Sequence, residues 1–228
     1  MESIGIAKLD GILKGGVPDK SVTLIEGTPG IGKDVLAYHF LFSGIKAGEA
    51  CAFVFVGRTI EEIVSEFAAN GMAISPQLFT WIDASGPHGS DGSNVVNCDI
   101  SELFTVSSAI KSFVEKNKKK KMRLVFSILS PALMSNNSAE VYKFLSALIG
   151  TLKKSDITAV MLIEDWMHDP QTVVSIEQLC DGVIDMKAYE KDWEIQTMLR
   201  IKKMRSLPTP PRYFRFSVTD RGISLESE

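Results

Sequence analysis

The chain of 228 residues carries 25 Lys and Arg against 28 Asp and Glu, for a formal net charge of −3. A chain of this length suits one large domain that buries roughly 70% of its unfolded surface. With 45% hydrophobic and 23% charged residues, a disordered, collagen-like or coiled-coil chain is excluded. The slightly acidic balance argues against a dedicated nucleic-acid binder, which carries a basic surface. Cys51, Cys98 and Cys180 stand far apart with no CxxC pair, so neither a disulfide framework nor a cysteine zinc site is expected. The start lacks a basic segment followed by an apolar one, and no apolar run approaches the ~20 residues that span a bilayer. A cytoplasmic protein without membrane contact is the expectation.

Along the chain, strand-like and helix-like segments alternate. Ser21 to Glu26 is a short β-branched run that ends at glycine, and Lys33 to Lys46 reads as helix. Cys51 to Val56 is wholly apolar at strand length, as in a strand covered on both faces. Ile60, Ile63, Val64 and Phe67 follow helical spacing and stop at Asn70-Gly71. Glu61 and Glu62 read as acids at that helix's N-terminus. Phe79 to Asp83 is a further strand; Ser85 to Asn97, rich in Gly, Ser and Asn, reads as a mobile surface loop. Val106, Ile110, Phe113 and Val114 mark a helix that runs into the solvated lysines of Lys116 to Lys121. Arg123 to Leu129 reads as strand. Val141 to Leu152 carries the cleanest helical stripe, and Thr158 to Ile163 and Val183 to Met186 are strands. The period then changes. Ile195 to Ile201 and Phe214 to Val218 alternate as half-buried antiparallel strands do, and Asp220-Arg221-Gly222 turns into Ile223 to Leu225. The expected fold is one α/β domain over residues 1–228, a mostly parallel sheet flanked by helices with an antiparallel C-terminal extension.

The sharpest motif is Gly27-Thr28-Pro29-Gly30-Ile31-Gly32-Lys33-Asp34. It follows a strand and opens a helix, the setting of a phosphate-binding P-loop. Glycines let successive backbone N–H groups point at phosphate oxygens, and the helix N-terminus adds partial positive charge. Thr28, Pro29, Gly30, Ile31, Gly32, Lys33 and Asp34 are therefore the expected nucleotide contacts, with Lys33 reaching the outer phosphates. The eighth position normally holds a Ser or Thr hydroxyl on Mg²⁺ and here is Asp34. A carboxylate roughly 5 Å from a phosphate charge costs about 3 kcal/mol at an effective dielectric of ~20. Asp34 either binds Mg²⁺ itself or sits on its own helix N-terminus and occupies the anion site from within.

The sequence resembles the KaiC-like branch of the RecA superfamily. The resemblance rests on the lead-in Ile4 to Asp10 with Gly15-Gly16-Val17-Pro18, on the P-loop, on Asp181-Gly182-Val183-Ile184 after a helix, and on Lys203-Met204-Arg205. It covers nearly the whole chain. It implies a RecA-like core that binds ATP or ADP, with Mg²⁺, between neighbouring subunits of a ring. It also implies that Lys203 and Arg205 reach a neighbour's nucleotide. The departures fall on chemistry. Where the family has adjacent glutamates after its second strand, this chain has Gly57-Arg58, and where it has the acid of the second nucleotide motif, this chain has Ser127. The resemblance thus implies a nucleotide-binding regulatory or assembly partner with little or no hydrolysis, in a homomeric ring or joined to an active relative. Three alternatives stay open. One is a slow ATPase or kinase that uses Glu164 or Asp165, another an interaction module that binds no nucleotide, and the last a recombinase.

Overall fold

The computed structural model describes residues 1–226 other than Asp192. Among these residues ten strands form one sheet: β1 (Val22–Gly27), β2 (Ala50–Phe55), β3 (Phe79–Asp83), β4 (Val95–Asn97), β5 (Met122–Phe126), β6 (Ile157–Glu164), β7 (Gly182–Lys191), β8 (Glu194–Met204), β9 (Phe214–Thr219) and β10 (Gly222–Leu225). Their order is β10-β9-β8-β7-β1-β6-β5-β2-β3-β4. The first seven run parallel and the last three are antiparallel, so the expected mostly parallel α/β fold with an antiparallel extension is observed. The helices are α1 (Ala7–Ile12), α2 (Lys33–Lys46), α3 (Ile60–Ala69), α4 (Leu103–Lys116), α5 (Leu129–Ser135), α6 (Ser138–Lys154) and α7 (Pro170–Leu179). Two apolar cores result. One lies between the sheet and α1, α2 and α3; the other lies between the sheet and α4 to α7. β1, β2, β5 and most of β6 are buried along their length, which is why β2 reads as a wholly apolar run, while Thr23, Glu26 and Arg123 are polar groups buried within β1 and β5.

Local chemistry sets the element ends. Thr59 and Glu62 form a reciprocal capping box at the start of α3, so Glu62 serves the helix terminus as expected. Gly71, in left-handed conformation, follows its end. Three segments differ from the sequence reading. Ser85 to Asn97 is not a plain mobile loop. The Asp83 carboxylate accepts from Ser85 N, Ser90 N and Ser90 Oγ, and Val95–Asn97 adds a short edge strand. The strand begun at Met122 ends at Phe126, because Leu129 to Ser135 turns into α5 with Pro131 in its first turn, where proline is tolerated. α1 is a six-residue helix, too short to show a period. The three cysteines are buried and free, and burial pushes each thiol up to about 12.

His39 ties α2 to the C-terminal hairpin. Its Nε2 accepts from Ile223 N at 3.0 Å. A Cβ on Gly222 would lie 2.0 Å from Nε2, so only glycine fits that turn. Burial, with Lys46 adding to it, holds the imidazole below the ordinary histidine value, and Asp10 opposes. A folded-state pKa below the unfolded ~6.5 gives stability that is present above that value and lost as pH falls through the folded pKa. Protonation would set N–H against N–H and weaken this tie to the hairpin. Thermal melting of the wild type is expected to drop more steeply below pH 6 than that of His39→Gln; parallel curves would refute the role.

Candidate functional site

β1 delivers Gly27 to the C-terminal edge of the sheet and α2 starts at Lys33, with Thr28 to Gly32 between them. Gly30 and Gly32 have φ of 78° and 99°, backbone that L side chains rarely adopt. The loop thus has the backbone a P-loop requires. Lys33 begins the helix, and its side chain is only 4% exposed.

The Lys33 ammonium is already engaged. Its Nζ lies 2.7 Å from Glu164 Oε1 and 3.6 Å from Asp34 Oδ2. Glu164 is the last residue of β6 and pairs with Gly27 in the β1–β6 register. Its amide donates to Ser130 Oγ at 2.9 Å, and the next amide, Asp165 N, donates to Gly27 O. Glu164 Oε2 is buried and, among the described residues, has no hydrogen-bond partner. Asp165 accepts from Trp166 N. Trp166 itself is 86% exposed. Asp34 sits in the first turn of α2 and faces Lys33, and among the described residues no backbone N–H donates to its side chain. A cavity of about 160 Å³ opens among Lys33, Asp34, Ser127, Ser130, Glu164 and Met167.

The neighbouring strand ends carry no free acid toward this cavity. Ser127 follows β5 and its Oγ donates to Val54 O at 2.8 Å. Gly57 follows β2 with φ 67°, and its N–H donates to Ser85 Oγ. Arg58 is drawn onto α3 and α2, 2.6 Å from Glu66 and 3.3 Å from the Tyr38 hydroxyl. Tyr38 in turn donates to Glu66, and burial raises its phenol pKa. Glu61 and Glu62 stay in the first turn of α3.

Lys203 and Arg205 stand elsewhere. β8 is antiparallel to β7, and Met204 pairs with Gly182, which in turn pairs with Thr23. The pair therefore sits at the start of β1, at the end of the sheet opposite the chain's own P-loop. Lys203 lies in β8 and Arg205 one residue beyond its end. Lys203 Nζ donates to Glu177 O, and Arg205 donates to Asp181 Oδ1 at 2.9 Å and to Gln178 O.

Two residues carry no sequence signal for the site. Ser130 meets Glu164 only through the β5–α5 turn. Glu26, one residue before Gly27, is buried on the other face of the sheet near Lys202, Glu177 and Asp185; burial first, then Glu177, pushes its carboxyl up to about 7. Lys202 pairs with Glu177 as well, and Asp185 is held by Arg200 and Lys187.

Among the described residues, no helix is long and apolar enough to cross a membrane, and no group of three or more His, Cys, Asp or Glu is arranged to hold a metal. A UPF0273 protein of Thermotoga maritima is 26% identical over 97% of this chain and 93% of its own length. The circadian clock oscillator protein KaiC of Synechococcus elongatus is 25% identical over 96% of this chain, which spans 43% of that protein. The crystal structure of a KaiC-like protein of Pyrococcus horikoshii shares the fold with a TM-score of 0.80, at 23% identity over 99% of this chain and 98% of that one. The family model described as "ATPase: KaiC" matches residues 3–228, and the chain belongs to that family.

Proposed function

We propose that the chain binds ATP or ADP on Thr28 to Asp34, with Lys33 as the main charge contact, and turns it over little or not at all, serving as a regulatory or assembly partner. The observation that carries the reading is the buried Lys33 ammonium at a helix N-terminus behind two left-handed glycines, paired with an anion a phosphate can replace. Mg²⁺ fits the oxygen donors present: Asp34 is 38% exposed beside Lys33 and can serve as a hard-cation ligand. When bound, the ion would neutralise phosphate charge. Gly57 and Ser127 supply no general base or metal-holding carboxylate, and Arg58 is committed to Glu66. Lys203 and Arg205 lie remote from their own P-loop, so the expected contact is with another chain's nucleotide, which favours an oligomer with sites between subunits.

The test is nucleotide-dependent thermal stabilisation on protein freed of copurified ligand. At 100 times the dissociation constant a binder gains about 2.7 kcal/mol, and Lys33→Ala is expected to abolish that gain. No stabilisation of the wild type at millimolar ATP or ADP would make the chain an interaction module without nucleotide. A second reading, a slow ATPase, is favoured by one observation, the Glu164 carboxylate at Lys33. Lys33-dependent phosphate release by the wild type would establish it.

A further inference from the structure

Two carboxylates share the one buried ammonium of the loop. Lys33 Nζ has Glu164 at 2.7 Å and Asp34 at 3.6 Å, so the formal charge of this cluster is one positive against two negative. A bare polyphosphate arriving here meets a lysine that is already neutralised.

The Glu164 backbone cannot step aside. Its Cα is held in register with Gly27, its own amide on Ser130 Oγ and the next amide on Gly27 O. Only the side chain is free to respond. Its Oε2 is buried and, among the described residues, without a partner. A buried polar atom left this way is costly, and more so when charged. A cation satisfies it. Mg²⁺ and similar ions bind through one or two carboxylates together with substrate phosphates and retain several waters. The adjoining cavity of about 160 Å³ far exceeds the ~10–15 Å³ that one water needs and has room for a partly hydrated ion.

Resting on the nucleotide reading above, we infer that Glu164 makes this site selective for metal-complexed nucleotide over the free anion. Without a divalent cation, Glu164 holds Lys33 against the phosphates. With one, Glu164 shares its carboxylate with the metal and yields Lys33 to the phosphates. Asp34 adds to the same bias, since it too repels a bare phosphate and accepts a metal.

The experiment is calorimetric titration of ATP in excess Mg²⁺ and in EDTA, on the wild type, Glu164→Gln, Glu164→Ala and Lys33→Ala. The Gln variant removes the charge and keeps the shape; the Ala variant repeats the test should Gln perturb folding, which melting without nucleotide checks. Removing a unit charge this close to the phosphates is expected to tighten ATP binding in EDTA by about tenfold or more. The advantage conferred by Mg²⁺ should shrink by a similar factor. Binding of ATP by Glu164→Gln in EDTA, where the wild type binds only with Mg²⁺, is the strongest supporting outcome. If both Glu164 variants bind metal-free ATP no better than the wild type while Lys33-dependent binding persists, the inference falls and the nucleotide reading stands. If ATP binds none of these proteins under either condition, both fall.

Discussion

A fourfold variant, Asp34→Thr, Ser127→Asp, Gly57→Glu and Arg58→Glu, is expected to release phosphate from ATP about 10²–10⁴-fold faster than the wild type, the range a positioned general base contributes. The wild type is expected to be no faster than its Lys33→Ala control. The four positions are those the sequence reading expects to depart from the family's pattern. They act on one phosphoryl group, so single restorations should do little; residues that act as a unit are not additive. The structure sets the costs. Gly57 has φ 67°, so a side chain there costs roughly 1–2 kcal/mol, although, its chain neighbours apart, nothing among the described residues lies within 4 Å of the position its Cβ would take. Ser127→Asp gives up the hydroxyl's bond to Val54 O and sets a carboxylate against that carbonyl. Arg58→Glu removes the cation that pairs with Glu66 and leaves Tyr38 as its hydrogen-bond donor. The measurement is steady-state phosphate release, with melting curves to show that the variant folds. Lys33-dependent turnover by the wild type would contradict the expectation and point to Glu164 or Asp165 as the working acid. A folded, ATP-binding but inactive fourfold variant would mean that a group from outside the chain, such as a neighbour's Lys203 and Arg205, is still missing.

Arg123→Met is expected to lower folding stability by about 3–5 kcal/mol, the cost of breaking a buried ion pair from one side. The Arg123 side chain is 2% exposed. It donates to Glu49, to Glu2 Oε2 at 3.1 Å, and to the Ser3 and Phe40 carbonyls, with its guanidinium 4.7 Å from the Phe40 ring centre. It passes α2 at Gly44, where a Cβ would stand 2.5 Å from its Cδ. Removing it leaves Glu2 and Glu49 as buried carboxylates. Burial already raises the Glu2 pKa, and without the arginine it should rise further. A folded pKa above the unfolded one favours the fold at low pH and is lost as pH rises through it. The deficit of Arg123→Met should therefore be larger at pH 8 than at pH 5. Adding Glu2→Gln and Glu49→Gln should recover much of it. Urea denaturation at both pH values decides; a deficit under 1 kcal/mol would mean that water replaces the guanidinium.

Much of the fold was legible because its signals are local. β1 is a β-branched run and β2 a wholly apolar one, α6 has an unbroken stripe, and the last strands alternate. What escaped were elements shorter than a period, α1 and β4, and α5, where Pro131 looks like a breaker but falls in the first turn. For the site, the loop and Lys33 follow from the motif. That Glu164 stands at a strand end on the ligand side was also readable. Its ion pair with Lys33 was not, because it depends on the Gly27–Glu164 register of two strands far apart in sequence. Likewise Glu26 looks like an ordinary strand-end acid until β7, β8 and α7 enclose it.

Glu26 bears on the charge of the whole strand that presents the loop. Its carboxyl, pushed up to about 7, titrates near neutrality, so the charge on β1 one residue before Gly27 changes with pH there. Negative charge added to the loop raises the protonated fraction, and positive charge lowers it. Linkage then makes any ionic ligand of the loop a proton ligand as well. Its heat of binding must depend on the ionisation enthalpy of the buffer, and its affinity must drift with pH across neutrality even when no bond in the ligand is broken.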